Sequence, residues 1–541
     1  MNMNERTGRY RRFGALLDCS RGAVLKVDTV KKWIDILQKI GYNVLELYTE
    51  DTLEAEGEPY LGYLRGRYTG AEIREIDAYA AAHGIELIPC IQTLAHFTNP
   101  VKLPRFADIT DVNDILLIDE EKTYEFIDRV FASLAKNFTS RNVHIGMDEA
   151  HMAGLGKYLD KHGYCDRFAL LNRHVARVNG IAEKYGFSAH MWSDMYFRIA
   201  AEGDYYRRGV QIPKSVSENV PENVSLVYWD YYHTEKDHYD AMIGAHREFR
   251  RELWFAGGAW TWSGFAPRTR FAYTALKASM KSVRENGIQN VLITAWSDDG
   301  AECSLFSVLQ ILYAARRYAD GDCDDEAIAE GFEKLFDVSK TDWDLLELPD
   351  TVPGVDGLKL CNASKYLLYA DPFSGIADKT LNRYNPIPYA DYAESLSAAK
   401  GRAGEYAYIF DVAQKLCRLL EIKANLGART REAYRNKDRR ALATVIADYE
   451  RAVSRAREFF EALTVRWHRE NKAFGYEIYC VRLGGLIERL EYCKKRLQAY
   501  LNGELQKIEE LDEDILQFYP EPNEHELWMG RYRNIVTVGE L

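Results

Sequence analysis

Two carboxylates stand side by side in the stretch Asn142-Val143-His144-Ile145-Gly146-Met147-Asp148-Glu149-Ala150-His151. Adjacent carboxylates are costly in a core, but at the mouth of a cleft one environment can hold one of them charged and the other protonated, as acid–base chemistry requires. The run before them is short, apolar and β-branched with a glycine break. It reads as a buried parallel strand that delivers both acids at its C-terminal end. Other residues able to do chemistry or to bind polar ligands recur along the first three hundred positions: Asp18 and Arg21, Asp51, His96, Trp192 and Asp194, Trp229 to Tyr232, Trp260 and Trp262, Trp296 and Asp298.

The elements that must position them alternate in type. Strand-like runs at Ala15 to Asp18, Asn43 to Tyr48, Glu86 to Cys90, Asn142 onward, Ser188 to Trp192, Ser225 to Asp230, Leu253 to Gly257 and Asn290 to Trp296 are separated by helical periodicity. The helical runs include Val27 to Ile40, Gly70 to His83, Glu121 to Lys136, Phe168 to Tyr185, Tyr239 to Arg250, Phe271 to Asn286 and Leu305 to Tyr318. Eight such units predict an α/β fold of the (β/α)8 TIM-barrel type, in which every group named above lies at the catalytic end of a strand. A doubly wound open sheet is disfavoured, because no glycine fingerprint follows the first strand.

Beyond an acidic turn, Asp320-Gly321-Asp322-Cys323-Asp324-Asp325, the pattern changes to long charged amphipathic runs, roughly Tyr392 to Leu426, Thr430 to Leu463 and Gly475 to Asn502. These predict an all-α C-terminal domain of bundled helices. The expected division is a catalytic barrel over 1–320 and a helical domain over 321–541, whose surface is also suited to a homodimer contact. A net charge of −12 with no basic block argues against a nucleic-acid partner. Nine cysteines without a CxxC pair predict free thiols in a cytoplasmic setting, and the polar, Arg-rich start from Met1 to Phe13 predicts neither a signal peptide nor a membrane span. An aromatic content of 13% fits a sugar site, since aromatic faces often line such sites, but most aromatics in any protein are core.

The acid strand carries a resemblance. His144-Ile145-Gly146-Met147-Asp148-Glu149 resembles the His-x-Gly-Gly-Asp-Glu signature of family-20 glycoside hydrolases, the β-N-acetylhexosaminidases. Leu17-Asp18-Cys19-Ser20-Arg21 is similar to the family's first-strand segment, and Tyr68 to Ile76 with Gly84 to Pro89 resemble its second helix and third strand. Leu94-Ala95-His96-Phe97-Thr98 sits where the family has Pro-Gly-His-Thr or Ser, Thr49-Glu50-Asp51 where it has a supporting Asp, and Ala295-Trp296-Ser297-Asp298 where it has Trp-x-Glu. The likeness spans about residues 10 to 320. Its departures are Met147 in place of a Gly, and a seventh strand lacking Tyr-x-Asp.

What the resemblance implies is exo-acting hydrolysis of a terminal N-acetylhexosamine with retention of configuration, in which the substrate's acetamido oxygen is the nucleophile. Glu149 would protonate the leaving oxygen and then activate water, while Asp148 would orient the acetamido N–H and stabilise developing positive charge. Tyr231 or Tyr232 would hold the acetamido oxygen. Arg21 would bind vicinal hydroxyls and Asp298 O4 or O6, Trp192, Trp229, Trp260 and Trp296 would wall the ring, and Asp51 and His96 would set the charge around Glu149. No cofactor or metal is expected.

Each assignment competes with a plainer one. Without the motif, an Asp-Glu pair is more often a helix-terminal or salt-bridge feature, Arg21 a surface ion pair, a single Trp core, and His96 or His144 a satisfied core histidine, the reading preferred for His144. Trp260 and Trp262 are not separable by sequence. A metal-dependent barrel hydrolase using His144, Asp148, Glu149 and His151 lacks a His-Glu-x-x-His or first-strand His-x-His pattern. An inactive sugar-binding barrel is disfavoured because Arg21, Asp148, Glu149 and Trp296 are all present.

Overall fold

Eight parallel strands close on themselves in chain order, with the first pairing the last: β1 (Arg12–Asp18), β2 (Val44–Tyr48), β3 (Glu86–Cys90), β4 (Asn142–His144), β5 (Ser188–Trp192), β6 (Ser225–Trp229), β7 (Leu253–Gly258) and β8 (Asn290–Ala295). The architecture comes from a computed structural model that describes residues 10–359, 361–520 and 530–539. Crossover helices α1 (Val27–Ile40), α2 (Gly70–Ala82), α3 (Glu121–Asn137), α4 (Arg167–Lys184), α5 (Asp194–Ala200), α6 (Lys236–Arg247), α7 (Thr269–Glu285) and α8 (Leu309–Asp320) connect and follow the strands, so the fold is the expected (β/α)8 barrel.

The local reasons are ordinary ones. The strands are apolar on both faces because the barrel interior lies on one side and the helices on the other; β1 runs Phe13-Gly14-Ala15-Leu16-Leu17 with every residue buried. Gly14 is required by crowding, since a Cβ there would come within 2.8 Å of the Val44 Cβ. Helix α1 turns Val30, Trp33, Ile34 and Leu37 inward at helical spacing and stops at Gly41, whose φ of 96° lets its N–H cap the Leu37 and Gln38 carbonyls. Helix α2 begins with a capping box between Thr69 and Glu72.

Strand β4 is shorter than its sequence suggests. It ends at His144, and the acid pair stands four and five residues beyond it. Backbone bonds from the Ile145 N–H to the His190 carbonyl and from the Trp192 N–H to the Gly146 carbonyl carry it a little further.

The chain divides into two compact units, the first made of residues 1–259, 272–296 and 311–324, the second of 260–271, 297–310 and 325–541. The division at 320 expected from sequence does not place the segments 260–271 and 297–310, which follow β7 and β8, with the second unit. That unit contains α9 (Ala363–Tyr369), α10 (Tyr389–Lys400), α11 (Ala407–Lys423), α12 (Leu426–Arg435), α13 (Arg439–Glu470) and α14 (Glu477–Asn502), and no strand among its described residues. Helices α10, α11, α13 and α14 pack in succession. The first two long runs read from sequence are each interrupted. Gly401 and Gly404 fall between α10 and α11, and Lys437, with a φ of 52°, precedes Asp438, whose carboxylate caps α13 through the Arg440 and Ala441 N–H groups.

Candidate active site

The backbone that follows β4 passes through left-handed conformations at Gly146 (φ 72°), Met147 (φ 82°) and Glu149 (φ 52°). Non-glycine residues rarely adopt such angles, and they persist where surrounding contacts over-determine the chain. Gly146 is obligatory, because a Cβ there would lie 2.0 Å from the Gln92 Oε1. Met147 is buried, and its sulfur accepts from the Thr93 hydroxyl at 3.7 Å. The twist places two neighbouring acids in different media: the Asp148 side chain is 13% exposed and that of Glu149 45%.

Asp148 is held ionised. Its Oδ1 accepts from the Gln92 amide at 2.7 Å and its Oδ2 faces the His96 Nε2 at 3.2 Å. Burial opposes both charges, but each charge favours the other. The Asp148 carboxyl lies below its usual value, because the His96 charge and the hydrogen bonds from His96 and Gln92 outweigh desolvation. His96 is likewise pushed up to about 10 by the Asp148 carboxylate against its own burial. Gln92 is fixed in orientation: its amide nitrogen also donates to the Tyr48 hydroxyl at 2.8 Å, and its oxygen accepts the Met147 N–H at 3.3 Å.

Glu149 is steadied from behind. Its N–H donates to the Asp194 Oδ2 at 3.1 Å, and the same oxygen accepts the Arg198 Nε at 2.9 Å. The Arg198 Nη2 is 3.6 Å from the Glu149 Oε1, and the His96 Nε2 is 3.8 Å from its Oε2. Asp194 is raised by burial and by the negative charges of Asp148 and Glu149, with Arg198 opposing. Two cations therefore flank the more accessible acid.

Arg21, half-buried after β1, donates to Glu50 and, at 3.0 Å, to the Ser20 hydroxyl, and its guanidinium lies 5.5 Å from the Tyr48 ring centre. Glu50 also accepts from the Tyr48 hydroxyl at 3.0 Å and comes within 3.9 Å of the His96 Nδ1. The carboxylate expected beside His96 was Asp51, but the structure turns Asp51 to Arg65, which grips both its oxygens at 3.1 Å. Glu50 occupies the place in the network instead.

The aromatic residues of the barrel unit assemble as pairs. Trp296 meets Tyr48 edge-on at 4.8 Å and Trp192 at 6.0 Å, and Trp229 stacks on Tyr231 at 5.3 Å. The Arg198 guanidinium lies 5.7 Å from the Trp229 ring centre. The buried Tyr231 hydroxyl is hydrogen-bonded to the side chains of Thr294 and Trp296, whereas Tyr232 is half-buried and its N–H donates to Asp230. Trp260, Trp262 and Asp298 fall in the segments that group with the helical unit; there Trp260 and Trp262 stack at 4.3 Å, and Asp298 is exposed.

Two groups have the donor types of a metal site, Glu46, Cys90 and His144 in the barrel interior, and Asp230, His233 and His238 after β6; each set of ligand atoms lies within 4.8 Å of one another. Neither includes Asp148 or Glu149. A ligating imidazole normally donates its second N–H outward. Here the Gly146 N–H donates to the His144 Nδ1, and the Arg208 Nε donates to the His238 Nδ1, so the nitrogen facing each cluster carries the proton. The His144 Nε2 and Glu46 Oε2 in the first cluster and the His238 Nε2 in the second have no hydrogen-bond partner among the described residues, and His144 is a fully buried histidine.

Three residues of this constellation escaped the sequence reading as site members, Glu50, Gln92 and Arg198, and Asp194 was named there at a strand end without a role. Glu50 is masked by the adjacent acid, Gln92 is uncharged, and Asp194 and Arg198 show only the i,i+4 spacing common on any helix.

Two family models match the chain: that described as glycosyl hydrolase family 20, catalytic domain, over residues 9–237, and that described as glycoside hydrolase 20C C-terminal domain, over residues 341–529. The chain is similar to hexosaminidase D of Homo sapiens, 24% identical over 220 residues that make up 39% of this chain and 43% of that protein. It is 30% identical over 178 residues to a β-hexosaminidase of Vibrio furnissii, covering 26% of this chain and 29% of that one. The chain thus spans less than half the length of these two curated relatives. Among solved structures, a family-20 exo-β-N-acetylglucosaminidase of Vibrio harveyi aligns with a TM-score of 0.45 and 18% identity over 61% of this chain and 58% of that one.

Proposed function

The chain belongs to glycoside hydrolase family 20, its catalytic-domain and C-terminal-domain models falling in succession on one polypeptide and together matching more than half of it, and on that premise we propose an exo-acting, retaining β-N-acetylhexosaminidase. The observation that carries the reading is the unlike pair: a buried carboxylate kept charged by Gln92 and His96, next to an accessible one.

In this mechanism the acetamido oxygen of a terminal N-acetylhexosamine attacks its own anomeric carbon as the bond to the leaving oxygen breaks. Glu149 gives its proton to that oxygen. The positive charge passes to an oxazolinium ring, whose N–H is accepted by Asp148, and this stabilisation is realised as charge develops. Water then attacks the anomeric carbon while Glu149 takes a proton back, and the ring opens with configuration retained. Tyr231 is the tyrosine we assign to the acetamido oxygen, because its buried hydroxyl is hydrogen-bonded to the Trp296 side chain, which is assigned to the wall of the same site. Arg21 is assigned to sugar hydroxyls and Asp298 to O4 or O6; Trp192, Trp229 and Trp296, with Trp260, form the apolar walls. Glu50 replaces Asp51 as the acid that orients Arg21 and His96.

The substrate panel tests this directly. Aryl β-N-acetylglucosaminide and β-N-acetylgalactosaminide are cleaved and the β-glucoside is not, with the β-anomer appearing first by proton NMR. Equal hydrolysis of the glucoside, or an inverted first product, rejects the mechanism.

We also propose a homodimer formed through the helical unit, where Val465, Phe474, Val481 and Tyr492 are exposed on α13, on α14 and on the turn joining them. A reducing, cytoplasmic setting is supported by the nine cysteines, all of them free. Among the described residues no helix is long and apolar enough to cross a membrane.

A further inference from the structure

The Glu149 carboxylate has two unlike flanks, both within the barrel unit. Its Oε2 looks toward the His96 Nε2 at 3.8 Å, the same nitrogen that meets the Asp148 Oδ2 at 3.2 Å, so that flank is shared with the acid assigned to the acetamido group. Its Oε1 looks toward the Arg198 Nη2 at 3.6 Å. In the proposed reaction the leaving oxygen, and whatever it carries, departs from Glu149 on the flank away from Asp148. That is the flank of Arg198.

Arg198 is fixed there with donors to spare, since a guanidinium offers five N–H groups. Its Nε donates to Asp194 at 2.9 Å and its Nη1 to the Gly203 carbonyl at 3.1 Å, while its Nη2 reaches no acceptor within hydrogen-bond distance among the described residues. The guanidinium also lies 5.7 Å from the ring centres of Tyr205 and Trp229, and the side chain is 16% exposed. Ring packing and the buried Asp194 carboxylate thus hold one edge of the cation still and leave the other edge open.

A second guanidinium stands on the same side. Arg167, at the start of α4, donates through its Nη2 to the His151 carbonyl at 2.6 Å, and the His151 N–H donates to the Glu149 carbonyl at 2.7 Å. Two hydrogen bonds therefore tie Arg167 to the backbone of the acid. It is half-buried and faces no carboxylate among the described residues, because the adjacent Asp166 is engaged as the cap of α4 through the Ala169 N–H at 2.9 Å. Burial and then the charges of Arg198 and Arg167 lower the exposed His151 imidazole, so both guanidiniums lie within electrostatic range of one ring.

We infer that the leaving-group side of the site is built for an anionic aglycone: a sugar bearing a carboxylate, met by the open edge of Arg198 and by Arg167. This rests on the reading of Glu149 as the acid above. A planar guanidinium presents two parallel N–H donors to a carboxylate, where an ammonium presents a point charge. The carboxylate is that of a uronate or that of a lactyl ether on the adjoining ring; both bring the same group to the same cations.

The test is a set of matched disaccharides given to the whole chain. N-acetylglucosamine β-linked to O4 of methyl glucuronide or of methyl glucoside compares a carboxylate with a hydroxymethyl, and N-acetylglucosamine β-linked to O4 of N-acetylmuramic acid or of its lactyl amide compares charge alone. The carboxylate disaccharide of at least one pair shows kcat/KM about fivefold to tenfold above its neutral partner at low salt, and the advantage shrinks as ionic strength rises to about 0.5 M. The pair that shows it identifies the source of the carboxylate. Arg167→Gln and Arg198→Gln each bring the ratio toward unity, Arg198→Lys keeps part of it, and Arg177→Gln, at an exposed ion pair with Glu121 further along α4, leaves it unchanged. A ratio of two substrates on one protein is insensitive to a general loss of activity, and Arg167→Gln decides the matter if Arg198→Gln does not fold. Equal kcat/KM within both pairs, failure to cleave either carboxylate disaccharide, or a preference that persists in Arg167→Gln and Arg198→Gln overturns the inference while aryl N-acetylhexosaminide hydrolysis leaves the proposed function standing. A wild-type protein that cleaves neither the disaccharides nor the aryl substrates refutes the proposed function and this inference with it.

Discussion

Two carboxylates one residue apart in sequence meet unlike surroundings, and the roles proposed for them follow from that difference. Glu149→Gln removes the proton donor, so turnover of substrates with poor leaving groups falls roughly a hundredfold to ten-thousandfold, and activated aryl substrates lose less. Asp148→Asn removes the fixed negative charge, with a loss of roughly a hundredfold to a thousandfold confined to substrates bearing the acetamido group. Steady-state kinetics on leaving groups of graded pKa checks both, and full activity in either variant rejects its assignment. His96 ties the site to pH. Its folded value, about 10, lies above its ordinary 6.5, so the stability it contributes is fully present below 6.5 and is lost as pH rises through 10. Asp148 is shifted downward, and its share is present above its ordinary 3.8 and is lost on acidification. Urea titrations of wild type and His96→Asn should therefore differ most near about pH 5 to 6 and converge toward about pH 10. A difference independent of pH would show that His96 is not charged in the fold.

At the scale of elements, the stretch past β4 sets one cost against another. Met147 sits in a left-handed conformation that costs about 1 to 2 kcal/mol for an L residue. Its side chain is wholly buried, and removing a buried Met costs about 2 to 5 kcal/mol. Burial outweighs strain, so Met147→Gly, although it restores the family's glycine, destabilises by about 1 to 3 kcal/mol in denaturant unfolding. A stabilised variant would reverse that ranking. Much of this was legible from residues. Period and apolar runs locate all eight strands, because a strand covered on both faces has little freedom of composition. The length of β4 was not legible, since Ile145-Gly146-Met147 has strand-like composition and only the Gln92 side chain and the turn geometry exclude it. Glu50 and Asp51 could not be told apart either. Both end the same strand, and which one faces His96 depends on Arg65, which captures Asp51 from fourteen residues away.

At the scale of the molecule, the sequence distinguishes a barrel half from a helical half but cannot show that the segments after β7 and β8 group with the latter, because that depends on Lys365, Arg466 and Arg482, distant in sequence, which bind Asp299 and the Ala301 carbonyl. The exposed apolar residues on α13 and α14 carry a prediction of their own: wild type sediments as a dimer at micromolar concentration and Val481→Asp shifts it toward monomer. A monomeric wild type would remove the dimer. The alternation of segments between the two units matters for engineering and for descent alike. A polypeptide stopped after Asp320 keeps eight strands but leaves 260–271 and 297–310 without the residues that group with them, so it should be recovered as aggregate or with degraded near-ultraviolet dichroism; a soluble product with native dichroism would contradict this. The helical half is consequently no interchangeable cassette. A recombination event that grafted a foreign tail onto this barrel would inherit two orphaned segments, one of them bearing Asp298, and the two halves are expected to have changed in step.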